Sequence, residues 1–282
     1  MTETLTIDSL RASYGAVIID LWGVIHDGTS LYPHAYSSLK HIKQAGLSIV
    51  LLSNAPRRAK KAKSNLDALG ITPDLYDHVI TSGEAAYQRF SHQPDWLGQR
   101  YYYLGPSKDE DILSELDDYS RVENPADADF ILNTGFEIDF QPEADIMPTL
   151  ERLAALSLPL VCVNPDREVV KRDGTYMLCA GIVAAHYQAL GGSVHYIGKP
   201  YQTVYEHAFS LLGNPSPERI LAIGDTAATD ILGANRAGID AMLITGGVLA
   251  LHYPKGISDE ASQALCHAIG AHARYIAPLF DL

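Results

Sequence analysis

Cysteine is scarce in this chain: Cys162, Cys179 and Cys266 are the only three in 282 residues, too few and too widely spaced for a disulfide framework. Each lies among apolar or small neighbours and reads as a buried, inert thiol. No stretch approaches the ~20 apolar residues of a membrane span. The start, Met1-Thr2-Glu3-Thr4-Leu5-Thr6, has neither a basic nor an apolar leader region. These absences point to a reducing cytoplasm and to no membrane partner. Positive charge is short too, with 21 Lys and Arg against 34 Asp and Glu and a formal net charge of -13. Such a surface repels nucleic acid, so any anionic ligand needs a locally positive site or a metal ion. No Gly-x-Gly-x-x-Gly follows a strand, which removes the main support for a dinucleotide site.

The remaining composition is that of a soluble globular protein, 47% hydrophobic and 20% charged, long enough for two moderate domains. Ala16-Val17-Ile18-Ile19 reads as a short buried strand closed by Asp20, and a Gly-containing loop, residues 21–28, follows. A helix over 35–44, a strand over 47–52 ending at Ser53-Asn54, a helix over 56–69 and a strand over 78–82 continue the rhythm. Gly83 reads as a hinge, and Arg57, Arg58, Lys60, Lys61 and Lys63 as a solvated helix face, with the alternative that they raise the local potential for an anionic substrate.

The middle of the chain changes texture. Strand-sized runs at 101–104, 130–133 and 160–163 alternate with helical stretches near 108–118 and 142–156, and a helix follows over 181–190. Tyr101-Tyr102-Tyr103 is a strand of that unit. The last third returns to the first pattern, with helices over 201–212 and 231–237 around strands at 220–223 and 241–244. This order predicts an α/β fold in which a Rossmann-like parallel-sheet core, residues 1–84 and 179–282, is interrupted by a smaller α/β domain, residues 85–178.

Asp20, Ser53-Asn54, Lys199, Asp225 and Asp230 all fall just after apolar strands or in βα loops, which converge on one rim of a parallel sheet. Three carboxylates, an ammonium and a hydroxyl suit Mg²⁺ together with a phosphate. Asp20 and Asp225 can supply metal oxygens, while Asp230 supports a bound water or orients Lys199. Ser53, the Asn54 backbone N–H and Lys199 can hold phosphoryl oxygens. Asp20 is then placed to attack phosphorus and form an aspartyl-phosphate that water hydrolyses. His267 and His272, read as two positions five apart on one terminal helix, would lie about 140° apart around its axis, which excludes a helical metal pair.

Four ordered segments carry a family likeness: the strand and loop from Asp20 to Asp27-Gly28, Leu52-Ser53-Asn54, Gly198-Lys199-Pro200, and Gly224-Asp225-Thr226-Ala227-Ala228-Thr229-Asp230. In these the chain resembles the haloacid dehalogenase superfamily, class IIA, whose NagD-like members are sugar and nucleotide phosphatases. The resemblance covers nearly the whole chain. It implies a Mg²⁺-dependent phosphatase acting on a small phosphorylated metabolite, a sugar phosphate, nucleotide or acyl phosphate. It also implies an inserted α/β cap of the C2 type between Ser53 and Lys199. Asn164-Pro165-Asp166 resembles the family's cap loop, making Asn164 and Asp166 cap contacts to substrate, and Cys179-Ala180-Gly181 its glycine-rich return.

Two positions depart from that pattern. The family's first motif is Asp-x-Asp, its second Asp protonating the leaving group, and here that residue is Trp22; the resemblance leaves Trp22 a metal ligand through its backbone carbonyl only. Ala55 stands where the class often has a second Asn. Losing a general acid typically forfeits about 10²–10⁴ in rate, less for acyl phosphates, whose leaving group needs no proton. His26, in the same loop, is the candidate substitute acid. The rival expectation is a catalytically impaired protein that binds Mg²⁺ and a phosphorylated ligand for regulation or partner binding. Monomer and homodimer stay open.

Overall fold

The computed structural model describes residues 5–138, 141–170 and 175–282. In chain order the first elements are α1 (Ile7–Ser13), β1 (Ala16–Ile19), α2 (Ala35–Gln44), β2 (Ser48–Ser53), α3 (Ala59–Ala68), β3 (His78–Thr81) and α4 (Ser82–His92). The middle elements are β4 (Arg100–Leu104), β5 (Ser120–Val122), β6 (Phe130–Asn133), α5 (Met147–Ala155), β7 (Leu160–Cys162), β8 (Glu168–Val170), β9 (Tyr176–Leu178), α6 (Ala180–Ala189) and β10 (Val194–Tyr196). The chain closes with α7 (Gln202–Leu211), β11 (Ile220–Gly224), α8 (Leu232–Arg236), β12 (Asp240–Ile244), α9 (Val248–His252), α10 (Asp259–Ala268) and β13 (Tyr275–Ala277).

Among the described residues the larger sheet runs β13-β12-β11-β1-β2-β3, parallel throughout. Its strands are apolar on both faces, as a sheet covered by helices on both sides requires. Val17, Ile19, Ile49, Leu51, Leu221 and Ile223 pack with Leu39 and Ile42 of α2 and Leu66 of α3. The alternate residues Ile18, Val50, Leu52 and Ala222 pack with Val204 and Tyr205 of α7, Ala234 of α8 and Cys266 of α10. Each buried Leu, Ile or Val stabilises by about 1.5–3 kcal/mol relative to exposure, so both layers are needed to hold the sheet.

The second sheet, β10-β7-β6-β4-β5, is also parallel. One face meets α5 and α6 through Leu150, Leu153, Val183 and Tyr187. The other buries Tyr101, Tyr103, Phe130 and Leu132 against Ala86 and Phe90 of α4 and against Ile112 and Leu113. Strand β10 and helix α6 belong to this packing although both lie beyond the limit at 178 expected from the sequence. We propose that the inserted unit extends to Tyr196. An antiparallel hairpin, β8-β9, projects from it.

Other expectations are corrected by packing. Residues 108–118 are not an α-helix: one 3₁₀ turn, Ser107–Asp109, is followed by turns. Acidic groups at Asp117 and Asp118 would oppose a helix C-terminal dipole, and the turns bury the adjacent Ile112 and Leu113 together. Gly83 is no hinge; it sits in the first turn of α4, where a Cβ would meet the Arg57 backbone at 2.6 Å. The basic residues are not a uniformly solvated face either. Arg58 is buried and donates to Glu84 at 2.8 Å and to Glu115 at 3.0 Å, while Lys60 pairs with Glu115 and Lys61 reaches the Lys108 carbonyl. Finally, α10 ends before His272, and the turn after it brings the His267 and His272 rings to stacked contact at 5.8 Å. No helix among the described residues is long and apolar enough to cross a membrane.

Candidate active site

Strand order puts the site together. β1 lies between β2 and β11, so Asp20 leaves the sheet beside Ser53-Asn54 on one side and Asp225 on the other. This is the carboxyl rim, where open parallel sheets take ligands. Asp20 is 9% exposed, and its Oδ1 accepts from Lys199 Nζ at 2.7 Å. The same ammonium donates to Asp230 Oδ1 at 2.6 Å and to the Leu52 carbonyl at 3.1 Å. Burial works against the Lys199 charge, but Asp20, Asp230 and Asp166 more than offset it and hold the lysine well above its usual range. Burial pushes the Asp20 carboxyl up, opposed by its contact with Lys199.

Asp225 accepts from the Val248 backbone N–H at 2.7 Å and from the Thr226 hydroxyl at 3.1 Å. Asp230 sits in a one-turn π-type helix, Ala227–Ile231, and its Oδ2 accepts from Thr226 N–H at 3.0 Å. Such turns re-aim a side chain by one residue and recur at functional sites. Burial and the neighbouring Asp230 push the Asp225 carboxyl up to about 7.

The donor set can be tested against a cation. Oxygens of Asp20, Asp225 and Asp230 lie within 4.8 Å of one another, and two of these carboxylates, Asp20 and Asp230, share the Lys199 ammonium. Glycines close in on them: a Cβ would reach Asp225 Oδ2 at 1.9 Å from Gly23 and at 2.1 Å from Gly247, and the Asp230 side chain at 2.1 Å from Gly224. An all-oxygen, charge-excess nest of this kind fits a small hard divalent cation such as Mg²⁺. Of the residues expected as ligands, the side chains of Asp20 and Asp225 are in place. Trp22 lines the cavity beside Asp20.

That cavity, of about 130 Å³, is bounded by Asp20, Trp22, Ser53, Asn54 and Asp225 below and by Asn164, Asp166, Phe136, Met177 and Leu178 of the inserted unit above. Ser53 Oγ accepts from Ala55 N–H at 3.2 Å. Asn54 does structural work with its amide: Oδ1 accepts from Lys199 N–H at 2.7 Å and Nδ2 donates to Asp166 Oδ1 at 2.9 Å. The cap loop and the lysine loop thus meet on one side chain.

His26 falls outside this arrangement. It does not line the cavity; its Nδ1 accepts from Gly28 N–H at 3.0 Å, and its ring meets Trp22 edge-on at 5.8 Å. Burial lowers its pKa to about 4, so the imidazole is neutral near pH 7. Asp27, next to it, caps a turn by accepting from the N–H groups of Thr29 and Ser30. Neither is available to replace the missing acid.

Sequence reasoning missed Asp109, Thr229 and Val248, all of which line the cavity, and Arg57, named within the basic cluster, lines it too. Val248 had a signal in Gly246-Gly247 after an apolar strand, and Thr229 lies within the Asp225 to Asp230 segment. Asp109 had none, because only the cap's fold brings it to within 3.7 Å of Arg57.

This geometry can be set beside known proteins. Residues 17–118 match the family model described as haloacid dehalogenase-like hydrolase, and 196–264 match a second, HAD-hydrolase-like one. A solved haloacid dehalogenase-like hydrolase from Brucella suis 1330 is 32% identical, with a TM-score of 0.81 over 93% of this chain and 96% of that one. The chain belongs to the haloacid dehalogenase-like hydrolase family. Its likeness lies with the NagD-like, class IIA members. Ribonucleotide monophosphatase NagD of Escherichia coli K12 is 27% identical over 236 residues, covering 83% of this chain and 89% of that protein. Sugar-phosphatase AraL of Bacillus subtilis is 27% identical over 238 residues, covering 83% and 84%. This haloacid dehalogenase-like hydrolase therefore shares its fold and length with phosphatases.

Proposed function

We propose that this protein is a Mg²⁺-dependent phosphatase that hydrolyses a small phosphorylated metabolite through an aspartyl-phosphate on Asp20. The reading is carried by Asp20, set at the end of the central strand, ion-paired to Lys199 at 2.7 Å and lining the cavity between the larger sheet and the inserted unit. Asp20 and Asp225, with the Trp22 carbonyl, would hold the metal, and Asp230 would keep Lys199 aligned. Mg²⁺, when bound, supplies charge neutralisation for phosphoryl oxygens. Ser53, the Asn54 N–H and Lys199 would orient the phosphoryl group so that an Asp20 oxygen lies in line with the leaving oxygen. The inserted unit would exclude water and choose the substrate through its wall of Phe136, Met177 and Leu178.

The experiment is a Mg²⁺-supplemented hydrolysis screen over sugar phosphates, nucleotides, an acyl phosphate and p-nitrophenyl phosphate, run with Asp20→Asn. Turnover that falls by about 10⁴ or more in the variant supports the nucleophile. Turnover untouched by the substitution would sink the reading.

Trp22 favours a second reading, a binding protein that retains the metal and phosphate pocket without turnover. Mg²⁺-dependent binding of inorganic phosphate with no hydrolysis on any substrate would select it.

A further inference from the structure

With Trp22 where the family's acid stands and His26 turned away, the leaving group still needs a proton unless it departs as a stable anion. The acidic groups along the cavity can be compared by what already engages them. Asp20 is bound to Lys199, and Asp225 accepts two hydrogen bonds at the metal nest. Asp109 lies 3.7 Å from the Arg57 guanidinium, and Glu168 pairs with His252 at 3.1 Å. Asp166 differs: its carboxyl lines the cavity and is engaged by neutral groups, Asn54 Nδ2 at 2.9 Å and the Thr229 hydroxyl.

Its position is held from several sides. Asp166 N–H donates to Asn164 Oδ1 at 3.1 Å, and its carbonyl accepts from Gly181 N–H at 3.0 Å at the start of α6. A Cβ on Gly181 would strike the Pro165 carbonyl at 2.3 Å, and one on Gly198 would strike Pro165 Cδ at 2.7 Å, so two glycines let this cap loop press onto the core. Asn54 is fixed in turn by Lys199 N–H and by the Ser82 hydroxyl. The buried Thr229 hydroxyl lines the same wall beside the Asp166 carboxyl.

We propose that Asp166, supplied by the inserted unit, is the general acid and base of this enzyme, doing from the roof of the cavity what the residue at position 22 cannot do from its floor. The assignment rests on the phosphatase reading above. As an Asp20 oxygen bonds to phosphorus, the bond from phosphorus to the leaving oxygen breaks, and that oxygen takes the proton of the Asp166 carboxyl. In the second half the Asp166 carboxylate takes a proton from water as the water oxygen bonds to phosphorus. The bond from phosphorus to Asp20 breaks, phosphate leaves, and both carboxyl groups return to their starting forms. The environment supports the protonated start: burial raises the Asp166 carboxyl above its ordinary range, opposed by Lys199 and the Asn54 hydrogen bond and reinforced by Asp230.

The test is a leaving-group series from p-nitrophenyl phosphate to simple alkyl phosphates, with Mg²⁺, on the wild type, Asp166→Asn and the double variant Trp22→Asp with Asp166→Asn. Loss of an acid matters in proportion to the proton the leaving group needs. Asp166→Asn is therefore expected to lose about a hundredfold or more on alkyl phosphates and less than about tenfold on p-nitrophenyl phosphate. The double variant is expected to recover alkyl phosphate turnover, because an acid is restored at position 22. An equal loss across the series would make Asp166 a structural or binding contact and overturn the assignment alone. Should the single variant fail to fold, the wild type decides, since a rate that falls steeply with leaving-group basicity means no acid is at work. Absence of Asp20-dependent turnover on every substrate removes the phosphatase reading and this assignment with it.

Discussion

The floor and the roof of the cavity are built on different principles. The floor is a strand-end cluster in which Asp20, Lys199, Asp225 and Asp230 are each less than a tenth exposed and bonded to one another or to backbone N–H groups. The roof is mainly apolar, Phe136, Met177 and Leu178, with Asp166 and Asn164 as its polar points. A buried charge cluster tolerates almost no change because each member compensates another's desolvation. An apolar wall can be recut with modest cost to the fold. On the proposed function, the contrast corresponds to phosphorus chemistry at the sheet rim and substrate choice at the insertion.

Four perturbations test that division, beginning with the largest effect. Lys199→Met removes the cation between Asp20 and Asp230 and leaves two buried carboxylates unpaired. It should cost about 3–5 kcal/mol in chemical denaturation and abolish Mg²⁺-dependent turnover. A fully stable variant would mean that the floor is not an interdependent cluster.

Gly247→Ala places a methyl 2.1 Å from Asp225 Oδ2. A displaced ligand should weaken Mg²⁺ binding by about 10–100-fold, read by calorimetry. Unchanged affinity would detach Asp225 from the metal.

The third is a pH effect with a defined sign. The folded Asp225 is raised to about 7 from an ordinary value of 3.8, so between those pH values the folded protein holds more protons than the unfolded chain. The Asp225 contribution to metal-free stability is therefore full at low pH, falls as pH rises through this window and is lost above about 7. A cation competes with that proton, so the Tm gain on adding Mg²⁺ should be larger at pH 8 than at pH 5. A gain independent of pH would contradict the charge excess at the floor.

The smallest effect belongs to the roof. Met177→Ala should raise KM by about tenfold for a bulky substrate at nearly constant kcat, because it removes apolar contact present equally in ground and transition states. A fall in Mg²⁺ affinity in this variant would break the separation of floor from roof.

The floor is largely legible in the amino-acid order. Asp20, Ser53 and Asp225 stand at the ends of apolar strands of the larger sheet, and parallel strands deliver such residues to one edge, whereas Asp230 enters on the turn after Asp225 and Lys199 on the loop after β10 of the second sheet. The roof is less legible because its boundary depends on sheet pairing: β10 joins β7 through residues far apart in sequence, and no local signal marks Tyr196 as the last strand of that sheet. Residues 108–118 have a helical local pattern, and it is the burial of Ile112 and Leu113 against the second sheet that makes them turns.

The amino-acid order alone determined the core strands, the strand-end carboxylates and the lysine, and the presence of Trp where an acid is expected, since local apolar runs and ordered motifs carry those properties. Only tertiary structure decided that Lys199 bridges Asp20 and Asp230, that His26 faces away from the cavity, and that the Asn164-Pro165-Asp166 turn presses onto Asn54. These depend on distances between groups far apart in the chain or on which side of a loop a ring lies, and they are settled by packing rather than by spacing along the sequence.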